Sequence, residues 1–287
     1  MLVILAAAAI ATVTAGLAAA EPVVPLRELV RKAVAGLHLE DERRDSFLFR
    51  ARTERKELTT DGKVASQSSH AWERVEIDGF PFGRTLERDG KAVTEAERKS
   101  EDAAIAKRLA VLKAPLSSLA SLGGETEADA AAAAALKRRG QQGQWFHEFP
   151  EALDFQLLGE ETINGRPALH LNAEPKPGYR AKNMRARVFE KLKAQIWIDK
   201  ASSELVKADA EMFDTVSVGF GMIGRVEKGT RFKINRRLVA DGVWLIDSQS
   251  MRFDARILYF KTMHTEASTQ WSDFRRRPTK TDAVKQK

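Results

Sequence analysis

The spacing of apolar residues changes character several times along the chain. Leu26, Leu29, Val30, Ala33, Val34 and Leu37 recur every three or four positions, which predicts a helix over 24–39. Gly36 and the acidic cluster after Leu39 mark its end. From Phe47 the period drops to two. Phe47, Phe49 and Ala51 alternate with Leu48, Arg50 and Arg52, so the strand they predict carries one strongly charged face. Residues 64–77 return as its partner across Asp61-Gly62, and Asp78-Gly79 and Asp89-Gly90 mark further turns. Helical character comes back at Thr94-x-x-Glu97, a capping box in which each side chain can satisfy the other's backbone N–H. That helix should run to about Lys113 and stop before Pro115. An alanine-rich stretch, 128–136, follows Gly123-Gly124 and ends in Lys137-Arg138-Arg139-Gly140, as a helix C-terminus would. Trp145, Phe146 and Phe149 form an aromatic cluster suited to anchoring these helices on a sheet.

The second half alternates almost throughout. Strands are expected over 154–159, 168–173, 194–198, 204–213, 215–220, 231–238, 243–246, 251–259 and 262–271. Asn164-Gly165 between the first two is a hairpin signal, because a two-residue type I′ turn needs positive φ at both positions. Lys228-Gly229 and Asp241-Gly242 supply later turns. The pattern reads as an α+β fold, mainly antiparallel β: a sandwich or barrel, taken here as a sheet curled around an apolar interior. Its apolar interior would be lined from Leu157, Leu169, Leu171, Ile196, Ile198, Val216, Val218, Phe220, Phe232 and Ile234. Sequence leaves open which alternation faces inward.

Composition adds compartment and charge. Residues 1–20 are apolar and small and end in Ala18-Ala19-Ala20, the pattern of a secretory leader, though no Lys or Arg precedes the run. An uncleaved anchor is the alternative. The expected organisation is a leader at 1–20, one domain over 21–275 with a helical insertion at about 94–150, and a polar tail at 276–287. The leader predicts export. The chain has no cysteine, which excludes disulfides, thiolate metal sites and a lipid-bearing N-terminal Cys. A net charge of +7 favours anionic partners, and export turns that away from nucleic acid. Basic residues are densest in a loop containing Lys176, Arg180, Lys182, Arg185 and Arg187, with Tyr179, Met184 and Phe189 interleaved. Such a loop could meet anionic headgroups at a membrane, or could be ordinary solvated surface.

Chemistry is sparse. The five histidines are scattered without a metal-binding spacing, and neither a G-x-S-x-G elbow nor a P-loop occurs. Gly219-x-Gly221-x-x-Gly224 matches a dinucleotide fingerprint in letters only, since its flanks read as antiparallel strands rather than strand and helix. No catalytic residue, metal or cofactor is assigned.

The run Gly159-Glu160-Glu161-Thr162-Ile163-Asn164-Gly165-Arg166-Pro167, with Leu169 to Lys176 and then Ile196-Trp197-Ile198-Asp199-Lys200, resembles the outer-membrane lipoprotein-sorting proteins of the LolA/LolB-like carrier superfamily. Leu205-Val206-Lys207 and the closing Thr269 to Phe274 extend the resemblance, which covers about 150–275 in motif and 45–275 in layout. It implies a half-open β-barrel, a curled antiparallel sheet with helices covering the open side, that holds acyl chains in the periplasm of a Gram-negative envelope without catalysis. The implied partner is a lipid or acylated lipoprotein, with transient contact with inner- or outer-membrane proteins, and the expected state is a monomer. An envelope-stress sensor or protein-interaction module on the same shell is the second reading. A hydrolase of envelope polymers is the third.

Overall fold

The computed structural model describes residues 25–113, 144–218, 224–239, 242–257 and 261–278. The leader, the alanine-rich stretch, Phe220 and the end of the tail lie outside the described residues, and Val218 is described in its backbone alone.

Two helices, α1 (Leu26–His38) and α2 (Glu40–Asp45), precede β1 (Phe47–Leu58), β2 (Val64–Ile77), β3 (Phe80–Arg88) and β4 (Lys91–Ala92). Helix α3 (Glu95–Lys113) follows, and after the undescribed segment a 3-10 turn, Gln144–Glu148, leads into the short α4 (Phe149–Ala152). Then come β5 (Leu153–Ile163), β6 (Arg166–Pro175), a second 3-10 turn (Arg185–Lys191), β7 (Leu192–Asp199) and β8 (Leu205–Met212). The chain continues with β9 (Val216–Val218), β10 (Gly224–Val226), β11 (Arg231–Leu238), β12 (Trp244–Ile257) and β13 (Lys261–Arg276).

All strands join one 13-stranded antiparallel sheet in the order β4-β3-β2-β1-β13-β12-β11-β8-β7-β6-β5, with β10 beside β12 and β9 beside β10. Most paired strands are neighbours in sequence; the exceptions are β1 with β13, β8 with β11 and β10 with β12. The sheet does not close. Its ends are β4 and β5, so it is a curled, half-open sheet rather than a barrel. The turn chemistry is as expected: Asn164 and Gly165 both take positive φ, at 51° and 76°.

The two ends are treated differently. Helix α3 begins with the capping box, Glu97 Oε2 accepting from Thr94 N at 2.8 Å and Thr94 Oγ1 from Glu97 N at 3.3 Å. It then lies along β3, where Glu101 accepts the outward N–H of Thr85 at 2.9 Å. A helix so placed blunts an edge that would otherwise offer free backbone groups. Strand β5 at the other end shows Leu157 and Leu158 to solvent.

Two expectations are corrected. Residues 243–246 and 251–259 are not two strands; β12 runs unbroken from Trp244 to Ile257. The polar stretch Asp247-Ser248-Gln249-Ser250 reads like a turn, but β11 and β13 pair with it from both sides, and a register shift opposite Asn235/Arg236 absorbs the extra residue. The acidic cluster after Leu39 ends α1 and then forms a second helix, α2. Helix α2 is held by tertiary charge: buried Arg236 donates from Nη2 to Glu40 Oε2 at 3.1 Å, and Glu40 Oε1 accepts from Ile246 N at 2.9 Å.

Candidate functional site

In an antiparallel sheet, directly paired residues share a face, so the register shows which alternation points where. One lateral row runs Leu157, Leu171, Ile196, Ala208, Ile234, Gln249, Thr269, Thr53 across eight strands. The adjacent row runs Phe155, Ala173, Ala194, Ala210, Phe232, Met251, Ala267, Arg55. Leu169 and Ile198 pair in the row beyond. The structure therefore places seven of the ten lining candidates on a single face, apolar from β5 to β11, which turns polar at β12 in the first row and at β1 in the second. Val216 is also buried. Sequence reasoning missed the small residues between the candidates: Ala173, Ala194, Ala208 and Ala210 form the floor, and Met251 extends it. Their period-two spacing was visible, but short side chains do not announce an apolar face.

Over β5–β8 this face has a roof. Leu29, Val30, Ala33 and Val34 of α1, with Phe149, Ala152, Ala186 and Phe189, are buried against Leu171, Ala173, Ala194, Ile196, Ile198 and Leu205. The aromatic anchor forms as Phe146 stacked on Phe149 at 5.1 Å, with Phe189 edge-on to both. Complete burial of such side chains contributes about 1.5–3 kcal/mol each. The roof's polar fastenings are weaker. Arg27 donates to Pro150 O at 2.9 Å and to Asp154 at 3.1 Å, and Arg31 reaches Glu151 at 2.6 Å. The Arg31 hydrogen bond holds the Glu151 carboxyl below the usual range, against the opposing effect of burial. Exposed pairs of this kind are worth about 0–1 kcal/mol. Toward β11 and β12 the roof ends, and Phe232 and Met251 are 37% and 38% exposed.

Where α1 ends, His38 stacks on His147 at 4.0 Å. Burial, and then the neighbouring His147, depress the His38 pKa. Beside this stack, Tyr179 donates its hydroxyl to Glu148. Burial, then that carboxylate, hold the phenol protonated well above its usual range.

The opposite face is mostly polar outside a small buried cluster of Ala168, Trp197, Val206 and Trp244. Two adjoining cavities of about 470 and 260 Å³ lie along β1, β13, β12 and β11. Their floor includes Ser248, Ser250, Ser268 and Ser272, and long charged side chains such as Arg52, Lys56 and Arg231 rise beside it. Most of those cations are engaged: Arg52 with Glu87, Arg231 with Glu211 at 2.9 Å and Lys233 with Asp209 at 2.8 Å. Burial raises the Asp247 pKa at one end of this trough, against the pull of Arg237. Farther along the same face Asp254 pairs with His264 at 2.8 Å and with Arg252 at 3.2 Å. His170, in the same sheet, stacks on Trp197 at 4.3 Å and meets Glu161 at 2.8 Å.

The basic candidates Lys176, Arg180, Lys182, Arg185 and Arg187 all lie exposed on the connection between β6 and β7, whose second half is the Arg185–Lys191 turn. Among the described residues no helix is long and apolar enough to cross a membrane.

No family model matches the chain, and no curated protein matches it. Solved structures do. A domain described as an outer membrane lipoprotein-sorting protein from Vibrio parahaemolyticus is 15% identical, with 89% of this chain and 97% of that one covered and a TM-score of 0.29. A LolA superfamily protein from Nitrosomonas europaea is 11% identical over 87% and 95%, with a TM-score of 0.28. The Pseudomonas aeruginosa MucA/MucB complex matches at 10% identity over 86% and 99%, with a TM-score of 0.21. At these identities and TM-scores the binding chemistry has to be read from this chain's own side chains.

Proposed function

We propose that this protein is an exported, non-catalytic binder of acyl chains, carrying a lipid or the lipid part of a lipoprotein on the apolar face of β5–β11. The observation that supports this reading is the pair of lateral rows, large at the rims (Leu157, Leu171, Ile196, Ile234, Phe232) and small in the middle (Ala194, Ala208, Ala210). An extended chain laid along such a floor meets methyl groups throughout. About ten buried methylenes would contribute on the order of 8 kcal/mol, enough to outlast the cost of ordering them. Phe232 and Met251 offer the entry, and the chain advances by displacing α1, whose polar fastenings are surface pairs. The polar face and its ion pairs face water and take no part.

The test is native mass spectrometry of protein purified from an envelope fraction, together with uptake of a fluorescent fatty acid. The expected result is copurified lipid, and probe uptake at least tenfold weaker in Ala208→Leu and Ala210→Leu variants that still fold. Protein that is uniformly ligand-free and ignores the probe overturns the proposal. A second reading, a protein-interaction module, is favoured by one feature. The open edge strand β5 shows Leu157 at 46% and Leu158 at 49% exposure, where an extended peptide could add a strand. A partner retained in a pull-down by wild type and lost with Leu158→Lys would support it.

A further inference from the structure

Residues 176–193 carry seven Lys or Arg and a single acid, Glu190. Along β1, β11 and β12 positive charge stands opposite carboxylates. Here it does not. Glu190 accepts from the backbone N–H of Ala181 at 3.1 Å, and Glu148 accepts from Lys182 N at 2.9 Å and from the Tyr179 hydroxyl. The nearby carboxylates are thus spent on folding the loop, not on neutralising it. Lys191 pairs with Asp214, and Arg180 donates to the carbonyl of Tyr179. Lys176, Lys182, Arg185, Arg187 and Lys193 are exposed and meet no carboxylate among the described residues.

The loop is also fixed in place. Asn183 Oδ1 accepts from Arg185 N at 2.9 Å, and Ala186 and Phe189 are buried in the core under α1. Between these anchors Met184 stands 39% exposed, amid the cations. A preordered array of cations around an outward apolar side chain suits an interface with charge at one depth and hydrocarbon at the next. An acidic protein or a polyanion in solution would satisfy the charges but leave Met184 without a role.

We propose that this loop docks the protein on a bilayer surface through anionic phospholipid headgroups, with Met184 entering the acyl boundary. The surface lies beside the roof, because Phe189 of the same turn packs on Phe149. Docking would therefore set the apolar face of β5–β11 next to the membrane. This placement deepens the acyl-binding reading, but the docking itself is measured independently.

The experiment is flotation of the full chain with vesicles of phosphatidylglycerol and phosphatidylethanolamine, against vesicles of phosphatidylcholine alone. Wild type should bind the anionic vesicles and release as ionic strength rises. The triple variant Lys182→Ser, Arg185→Ser, Arg187→Ser should bind about a hundredfold more weakly, about fivefold for each charge removed. Removing three exposed lysines at the far edge instead, Lys91→Ser, Lys99→Ser, Lys107→Ser, should leave binding nearly intact. Met184→Ala should weaken it less than the triple variant. Equal binding to both vesicle types, equal loss in the two triple variants, or binding to heparin or an acidic peptide without binding to vesicles each overturns the proposal. Probe uptake by the loop variant separates the two ideas. Uptake retained while flotation is lost leaves the acyl face standing, and flotation retained in a protein that takes up no fatty acid leaves only the docking surface.

Discussion

The two halves of this sheet solve the same problem differently. In β5–β8 the strands are 8–11 residues long, one face is apolar and α1, α4 and the Arg185–Lys191 turn seal it. In β1, β2, β12 and β13 the strands run 12–16 residues, far beyond the small cluster of Phe47, Phe49, Ala51 and Leu245 that anchors one end. Most of their length is held by ladder hydrogen bonds and cross-strand pairs such as Thr53 with Thr269 at 3.0 Å and Arg252 with Glu266. On the acyl-binding proposal, the hydrophobic half is the one that opens to admit an apolar ligand and closes afterwards. A half made of ladders and ion pairs offers nothing greasy to exchange, and serves as the frame. Stability and binding should thus separate along the sheet.

The sharpest break of that division is at Arg236, on β11 where the halves meet. It is fully buried and bonds Glu40, Glu204, Leu205 O and Trp244 O. Arg236→Ala takes one cation from each of two largely buried carboxylates, leaving Glu40 to Arg44 and Glu204 to Arg43, and strips two backbone carbonyls of their donor; it should cost about 3–5 kcal/mol in chemical denaturation. Next comes a paired comparison within one face. Leu171→Ala, under the roof, should destabilise by about 2–5 kcal/mol. Phe232→Ala, at the open end, should change stability by on the order of 0.5–1 kcal/mol while lowering fatty-acid probe uptake. Equal stability losses would mean the face is not open at β11. A smaller effect is expected at the protected edge. Thr94→Ala removes the cap of α3 and should cost about 0.5–2 kcal/mol, read locally as faster amide exchange in α3 and at Thr85. The smallest is a pH effect at the end of the roof. His38 has a folded pKa below its ordinary value of 6.5, so the unfolded chain takes up the proton first. Stability linked to His38 is complete above about pH 6.5 and falls as pH drops through and below it. His38→Phe should flatten the stability profile between about pH 7 and 5, and an unchanged profile would remove the histidine stack from the account.

Much of the fold was legible because its signals are local. The period of α1, the capping box at Thr94 and the Asn164-Gly165 turn each depend on residues a few positions apart, and each appears as read. Long-range charge was not legible. Glu40 looked like part of a helix stop because its partner Arg236 lies 196 residues away. The unbroken course of β12 through its serines depends on pairing with β11 and β13, which no window around those serines contains. At the candidate site the large lining residues could be proposed from alternation. Their common face, the alanine floor and the roof needed the register and the packing of α1.

One close approach carries a further consequence. Gly36 sits on the buried side of α1 above Glu204, whose carboxylate would collide with any Cβ placed there. That carboxylate is held at 2.7 Å by Arg43 and 3.0 Å by Arg236. The helix backbone thus rests directly on an ion cluster, and it cannot rise without letting water onto those charges. Helix displacement and cluster hydration become one event. Opening rates should then respond to the kind and amount of dissolved salt, as an oily hinge alone would not, and rates indifferent to salt would show that the helix lifts without wetting the cluster.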